Sequence, residues 1–297
     1  MSIWKGLTSE LFGVLPYAAP IAFAAIGETV GQLSGVINIG IEGMMQAGAY
    51  GAYLGAADSH NAFGILSGFA IGGIAGTALA IFSAVFTLYL AIDQVVVGTA
   101  INLLALGVTA TLFRIRTQNS TNLVSLTSLH HRFGFDIATE LLIALVIVLT
   151  FALYKTGWGL ALRSSGEYPK ATESAGFSVL KLRLSALIIG GLMAGLAGAY
   201  LVVGTTGSYA TNMTTGRGFV AIALVTFGRW KPVWVFASAL LIGFLEILNF
   251  EFQAIHVHVP HELLLALPYI ISLAILVIAG KSAPAPESLG VPFRRQK

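Results

Sequence analysis

Charged residues are scarce in this chain of 297 residues: 16 are Lys or Arg and 13 are Asp or Glu. A soluble domain is typically about 25% charged, so these few charges cannot form a water-facing surface around a chain of this length. The scarcity excludes nucleic-acid-binding modules, cytosolic enzymes and disordered scaffolds. Cysteine is absent, which excludes disulfides, iron–sulfur clusters and thiol chemistry. The sequence therefore predicts an integral membrane protein.

Long apolar runs take the place of the missing charges. No Asp, Glu, Lys or Arg occurs between residues 59 and 92 or between 184 and 216. Each gap exceeds the roughly 20 apolar residues that a bilayer-spanning helix needs. We predict an all-α, polytopic protein with a single transmembrane domain over residues 1–297 and about eight to ten helices. The candidate helices lie near 11–30, 36–57, 62–90, 95–113, 137–154, 185–203, 219–228, 233–250 and 262–280.

One stretch interrupts this pattern near the N-terminus. Residues 33–43, LSGVINIGIEG, place Asn38 and several Gly or Ser residues where a helix should be continuous. Irregular backbone at membrane depth is tolerated where it is buried in protein or lines a watery cavity. We expect a broken helix near 33–43.

Basic residues concentrate in two stretches, with five Lys or Arg in residues 155–184 and four in residues 281–297. Short loops rich in Lys and Arg face the cytoplasm. We therefore predict a protein of the cell membrane with a cytoplasmic segment at 155–184 and a cytoplasmic tail at 281–297. Counting crossings from these anchors places residues 204–218 and 251–261 outside.

The longer basic stretch contains a short helix that its end signals predict. Pro169 suits a first helical position with Tyr168 as the cap residue before it, and Gly176 suits the left-handed position that ends a helix. Ser178 then begins the next helix. The segment is either an ordinary amphipathic connector or a docking site for a cytoplasmic partner, and its shape alone does not decide between them.

Six motifs follow one another along the chain: SGVINIGIEGMM, DQVVVGTAINLLALG, RSSGEYPKATESAGFSVLKLR, GLMAGLAGAYLVVG, MTTGRGFVAIALVTFGRWKP and ELLLALPY. In this order they resemble the permease subunit of the nucleoside and simple-sugar ABC importers, relatives of the ribose and branched-chain amino-acid permeases. The resemblance implies uptake of a nucleoside or simple sugar by alternating access. It also implies three partners: a two-cassette ATPase, a second homologous permease and an extracytoplasmic substrate-binding lipoprotein.

The resemblance further implies that residues 166–176 form the coupling helix, which sits in a cleft of the ATPase. The family pattern has Asn where this chain has Tyr168, and a Tyr side chain cannot accept a capping bond in that geometry. The departure affects the local cap and leaves the expected fold unchanged. The predicted coupling residues are Gly166, Glu167, Pro169, Lys170, Ala171, Glu173, Ala175 and Gly176.

The sequence offers no phosphate-binding loop of its own. Gly280, Lys281 and Ser282 are the nearest match, but Ile275 stands where the loop needs its first glycine, and an apolar helix precedes them. We therefore predict that the chain is not an enzyme and holds no cofactor or metal. ATP and magnesium are expected on the partner ATPase.

Six polar residues in or beside the apolar runs are candidates for the translocation pathway of a small polar substrate. Asn38 and Glu42 would share a face if their stretch is helical, as would Glu246 and Asn249. Such groups can hydrogen-bond ribose hydroxyls or a base edge. The alternative for each is a structural hydrogen bond that fixes helix packing, and we favour it for Glu28. The predicted pathway residues are Glu28, Asn38, Glu42, Asn102, Glu246 and Asn249.

The predicted outer loops contain the candidates for contact with the binding lipoprotein, which are Arg217, His256 and His258. Arg217 could pair with an acid on that partner. His256, His258 and His261 could also be considered as metal ligands. However, short HxH spacing in an exposed loop is more often incidental, so we predict no metal site.

Two other functions fit parts of the sequence. An ion-coupled secondary transporter or channel would work without an ATPase and would use Glu28, Glu42 or Glu246 as a proton or sodium site, but it leaves residues 155–183 unexplained. An intramembrane serine protease would need Ser34 and a histidine at the same depth. All six histidines lie in stretches that are predicted as outer loops.

Overall fold

A computed structural model describes residues 2–57, 62–118, 136–254 and 285–293, with Leu126, Leu129, Ile270 and Ala274; for 2–12 and 249–254 it describes the backbone alone. This part of the chain folds into α-helices without a strand. The helices are α1 Ser2–Leu33, α2 Ile41–Ala57, α3 Ala62–Ala84, α4 Gln94–Thr117, α5 Ile137–Lys155, α6 Gly157–Glu167, α7 Pro169–Ser174, α8 Val179–Tyr200, α9 Arg217–Phe227 and α10 Pro232–Ala254.

Five of these helices are long and apolar enough to cross a membrane. Two of them, α3 and α8, continue as π-helix over Val85–Tyr89 and Leu201–Thr206, which extends each span to 28 residues. The α9 and α10 helices are apolar but shorter over Arg217–Phe227 and Pro232–Leu248, the residues whose side chains are described. Every backbone group in a helix is satisfied within its own segment, which is what the bilayer interior requires. The predicted all-α polytopic class is confirmed, while the predicted helix 262–280 lies outside the described residues except for Ile270 and Ala274.

The centre of the bundle is formed by α1 and α8. In each, 78% of the apolar span is buried inside the protein, against 33% for α3 and α5 and 28% for α4. Small residues permit the close packing of α3 on α8. An added Cβ at Gly76 would meet the backbone of Gly191 and Gly195, so their backbones are in direct contact. The small-residue spacing therefore serves packing within the chain.

The N-terminal break is present, and its backbone turns back along α1. Helix α1 ends at Leu33, residues 34–40 are not helical, and α2 begins at Ile41. Gly35 has a φ of +92°, a conformation that suits glycine. The condition for Asn38 and Glu42 to share a helix face is not met, because Asn38 precedes α2. We call residues 34–40 the α1–α2 turn.

A second interruption lies between α8 and α9. Residues 207–216 are not helical, and α9 has 11 residues, which gives a length of about 16 Å, roughly half the hydrocarbon core. The placement of 204–218 outside the membrane stays a prediction. Thr214 in this stretch is 1% exposed and packs against α2, because its hydroxyl and the start of α9 hydrogen-bond to Glu42. Two half-helices, α2 and α9, thus begin at the same place inside the bundle.

Candidate functional site

A cavity of about 390 Å³ lies where the first turns of α2 and α9 meet, with α4 as its third wall. The α4 contribution includes Asn102, eight residues after the start of the helix and therefore about 12 Å along it. The cavity thus lies partway along α4 and is open at the surface of the described helices, where Leu103 is 71% exposed. Its lining residues are Glu42, Gly43, Gln46, Thr99, Asn102, Leu103, Leu106, Asn212, Thr214, Thr215, Gly216 and Phe219.

Glu42 caps α9 from outside that helix. One carboxylate oxygen accepts hydrogen bonds from the Thr214 hydroxyl and from the Gly216 backbone N–H at 2.8 Å, and the other accepts from the Gly218 N–H at 2.7 Å. A carboxylate at this position satisfies unpaired donors and offsets the positive end of the helix dipole. The α9 N-terminus is therefore already occupied by an anion of the chain itself.

Asn102 caps the N-terminus of α2 with a neutral side chain. Its Oδ1 accepts from the Gly43 N–H at 2.7 Å, and its Nδ2 donates to the Ile39 carbonyl at 2.9 Å. The amide therefore connects α4 to the first turn of α2 and to the α1–α2 turn. Neither helix N-terminus at the cavity keeps its inward-facing donors free for an anionic ligand.

The groups left to face a ligand are neutral. Asn212 is exposed with a φ of +60°, and its amide makes no hydrogen bond within the described residues. The Thr99 hydroxyl donates only to carbonyls of its own helix, so its lone pairs face the cavity. Phe219 is 49% exposed and offers an aromatic face. The cavity can therefore hydrogen-bond and stack a polar, uncharged molecule.

Glu28 and Asn38 lie behind the cavity wall. Glu28 is fully buried five residues before the end of α1, and its Oε1 accepts from the Gln32 side chain and from the Asn38 N–H, both at 3.1 Å. The Asn38 amide in turn donates to the Met44 sulfur. Both residues thus hold the α1–α2 turn against α1, which matches the structural alternative for Glu28.

Glu246 forms an ion pair with Arg217, whose guanidinium nitrogen lies 3.5 Å from the carboxylate oxygen. Neither side chain lines the cavity. The pair joins the first residue of α9 to α10. Contact of Arg217 with a binding lipoprotein stays a prediction. The predicted contacts of His256 and His258 also stay predictions, and both residues lie outside the described part of the chain. The side chain of Asn249 also lies outside them.

Sequence reasoning missed five polar residues of the cavity: Gln46, Thr99, Asn212, Thr214 and Thr215. Two carried a usable signal, because Gln46 is one turn after Glu42 and Thr99 is one turn before Asn102. The other three belong to a segment that the sequence assigned to an outer loop. The Gln46 amide makes two hydrogen bonds to this segment. It donates to the Tyr209 hydroxyl at 2.9 Å and accepts from the Thr214 hydroxyl at 3.2 Å.

The short helix of the basic stretch forms as predicted. Helix α7 begins after Tyr168, which makes no side-chain cap bond, and has Pro169 at its start. Gly176 has a φ of +89°, and the Ser178 hydroxyl accepts from the Lys181 N–H at the start of α8. Most predicted coupling residues are solvent-accessible. Gly166 is the exception, because it is buried against Leu33 at the end of α1.

Residues 285–293, which we call the C-terminal segment, pack beside α7. Together they form a groove of about 540 Å³. The sequence did not predict this contact, although the apolar VPF at 291–293 in an otherwise polar tail was a signal. The groove is lined by Glu167, Tyr168, Pro169, Lys170, Ala171, Ser288, Val291, Pro292 and Phe293.

Comparison with known proteins identifies the family. The family model described as "Branched-chain amino acid transport system / permease component" matches residues 10–280. The guanosine ABC transporter permease protein NupQ of Bacillus subtilis is 32% identical over the whole of both chains. The nucleoside ABC transporter permease protein NupC of Lactococcus lactis is 27% identical, also over the whole of both chains.

A third relative comes from an archaeon. The putative glucose ABC transporter permease protein TsgC13 of Haloferax volcanii is 34% identical over 86% of this chain and 80% of its own length. All three are named as permease proteins of ABC transporters, in which ATP is hydrolysed by a separate subunit. This chain therefore belongs to the branched-chain amino-acid transport system permease family and is a multi-pass membrane permease subunit of an ABC transporter.

Proposed function

We propose that this permease moves nucleosides, or a related simple sugar, into the cell through the cavity between α2 and α9. The observation that carries the proposal is a cavity with several polar groups in a mostly apolar wall. Glu42, the one charged group among its described lining residues, is already bound by three donors of the chain. Its volume of about 390 Å³ falls within the range of small-molecule sites.

The charged and capping groups that line the cavity favour nucleosides and sugars over amino acids. An amino acid brings a carboxylate, which a broken-helix transporter binds at a half-helix N-terminus. In this chain Glu42 occupies the N-terminus of α9, and Asn102 caps that of α2. A substrate carboxylate would face Glu42 without a free donor set, so a neutral solute is favoured.

The remaining lining groups suit the two halves of a nucleoside. Phe219 offers a ring face for the base, because every nucleobase can stack on an aromatic side chain. Asn212 and Thr99 offer an amide and a hydroxyl to ribose hydroxyls or to a base edge. The named nucleoside and sugar permeases among the relatives support the same solute class.

The permease requires a partner ATPase and a binding protein. We infer that the ATPase has two cassettes carrying ATP and magnesium, that a second homologous permease completes the pathway, and that the binding protein is an extracytoplasmic lipoprotein. We assign ATPase docking to the predicted coupling residues around α7. The basic residues of 155–184 support a cytoplasmic location of this end, and with it of the C-terminus.

The test is uptake by proteoliposomes that contain the assembled transporter and enclosed ATP. Labelled guanosine, uridine, ribose and leucine are compared with and without ATP, and a non-hydrolysable ATP analogue is the matched control. The proposal expects ATP-dependent accumulation of a nucleoside or ribose and none of leucine. Accumulation of leucine alone, or nucleoside uptake driven by an ion gradient without ATP, would overturn it.

A further inference from the structure

The C-terminal segment joins two parts of the molecule that are far apart in sequence. The Ser288 N–H donates to the Gly166 carbonyl at 2.9 Å, and the Gly290 N–H donates to the Gly35 carbonyl at 3.1 Å. Gly166 lies in the last turn of α6, directly before α7, whereas Gly35 lies in the α1–α2 turn. Two backbone hydrogen bonds therefore tie the coupling region to that turn through this segment.

A buried arginine holds the same three elements together. Arg183 of α8 is 1% exposed, and within the described residues it makes no ion pair. Its guanidinium instead donates to three backbone carbonyls, those of Ser34 at 3.1 Å, Val291 at 2.9 Å and Ser165 at 3.5 Å. The fixed fork of an arginine suits such simultaneous contacts. The α1–α2 turn, α6 and the C-terminal segment thus meet at one side chain.

The far end of the α1–α2 turn reaches the cavity. Asn102, a lining residue, binds the Ile39 carbonyl and the Gly43 N–H, and Glu42 follows two residues after the turn ends. The hydrogen bonds at Ser34 and Gly35, the backbone of residues 35–39 and the bonds of Asn102 therefore form a continuous route from α6 to the cavity wall. A contiguous, bonded route of this kind is a physical basis for coupling between distant sites.

We propose that the C-terminal segment and Arg183 are positioning elements that couple movement of α6 and α7 to the α1–α2 turn and hence to the cavity. This inference rests on the proposed function, since it requires an ATPase that moves α7. Its distinctive consequence is uncoupling: without the segment, ATP is still hydrolysed, but less solute moves for each ATP.

The first test compares two truncations in the assembled transporter. A chain ending at residue 284 lacks the segment, and a chain ending at residue 293 keeps it and loses only the four residues that follow. Co-purification of the ATPase, ATP hydrolysis and uptake are measured on both. We expect the longer chain to match wild type and the shorter one to keep its ATPase and hydrolysis while uptake per ATP falls about tenfold.

Two results would overturn the proposal: unchanged uptake per ATP in the shorter chain, or losses of ATPase binding and uptake in the same proportion. If wild type itself shows no ATP-dependent uptake, the proposed function fails first, so the two failures are distinguishable. Size-exclusion chromatography establishes that the truncated chain is folded.

A matched pair of substitutions decides the matter if the shorter chain does not fold. Ser288→Pro removes the N–H that binds Gly166, whereas Ser288→Ala keeps it and removes only the hydroxyl, whose exposed 3.2 Å bond to the Glu167 carbonyl is longer than the 2.9 Å backbone bond. We expect Ser288→Pro to lower uptake per ATP by about threefold while Ser288→Ala stays near wild type. Equal values for the two variants would contradict the coupling role of this hydrogen bond.

Discussion

The cavity and the end of the bundle that carries α6 and α7 satisfy their buried backbone groups in different ways. At the cavity, side chains do so: Glu42 caps α9 and Asn102 caps α2. At the other region, two backbone N–H groups of the C-terminal segment share this task with the Arg183 side chain, which binds three carbonyls.

The difference teaches which substitutions each region tolerates. One side-chain change at the cavity leaves several buried donors without a partner, so it should affect both stability and transport. Around α6 and α7, most side-chain changes leave the backbone bonds intact and should act on the partner instead. The predictions below run from the largest expected effect to the smallest.

Replacing Glu42 with Ala should have the largest effect. The change strands the N–H groups of Gly216 and Gly218, which lie inside the bundle. Losing bonds to a charged acceptor costs about 2–4 kcal/mol in total, so we expect a clear fall in the thermal midpoint and loss of uptake. Glu42→Gln keeps one acceptor oxygen, so its thermal midpoint and uptake should lie between those of wild type and of Glu42→Ala. Thermal unfolding in detergent and proteoliposome uptake measure both effects.

Glu140→Gln is the matched control for that experiment. Glu140 lies in the first turn of α5 and is exposed, so its change should stay within about 0.5 kcal/mol of wild type. A Glu42→Ala chain as stable and active as this control would show that Glu42 does not cap α9 in the working protein.

Glu167→Arg should prevent the ATPase from docking at the end of the bundle that carries α6 and α7. Glu167 is exposed beside α7, and reversing its charge places a cation where we expect the ATPase to dock. Uptake should be lost while the chain remains folded, and the ATPase should no longer co-purify. Lys155→Glu, an exposed reversal at the end of α5, should retain the ATPase. Normal uptake by the Glu167 variant would remove the docking assignment.

Asn102→Ala and Thr99→Val separate structure from solute contact within the cavity. Asn102 binds two backbone groups, so its loss should cost about 1–2 kcal/mol and also reduce uptake. The Thr99 hydroxyl bonds only within its own helix, so Thr99→Val should raise the KM for solute and leave stability nearly unchanged. Equal thermal midpoints for the two variants would contradict this division.

Tyr168→Asn should have the smallest effect and should improve the local structure. The α7 cap has no side-chain hydrogen bond, and an Asn there can accept one from the helix. We expect about 0.5–1 kcal/mol of added local stability, seen as slower hydrogen exchange in residues 169–175. Exchange as fast as in wild type would mean that the cap does not form.

The helical fold was predictable because its signals are local. Gaps between charges located the long helices, and the end signals at Pro169, Gly176 and Ser178 located α7. The clustered Gly and Asn of residues 33–43 located the first break. The course of residues 207–216 was not predictable, because it depends on Glu42, more than 160 residues earlier in the sequence.

The candidate site was predictable only in part for the same reason. Glu42 and Asn102 stand out as polar residues in an apolar chain, and both line the cavity. Glu28 and Asn38 stand out equally but serve the α1–α2 turn, because polarity alone does not tell a lining residue from a buried structural bond. The apolar residues 291–293 signal that the C-terminal segment packs on the protein, but nothing in the sequence identifies Gly166 as its partner, since that bond is made by backbone atoms.

The most direct test of the cavity uses the absence of cysteine. Thr99→Cys gives the assembled transporter's permease chain a single thiol in the cavity, and Ser174→Cys on exposed α7 is the control. The rate of labelling by a small maleimide is measured with guanosine or leucine present. The account predicts that guanosine slows labelling at position 99 alone and that leucine has no effect. Nucleoside transport without protection at position 99 would contradict it.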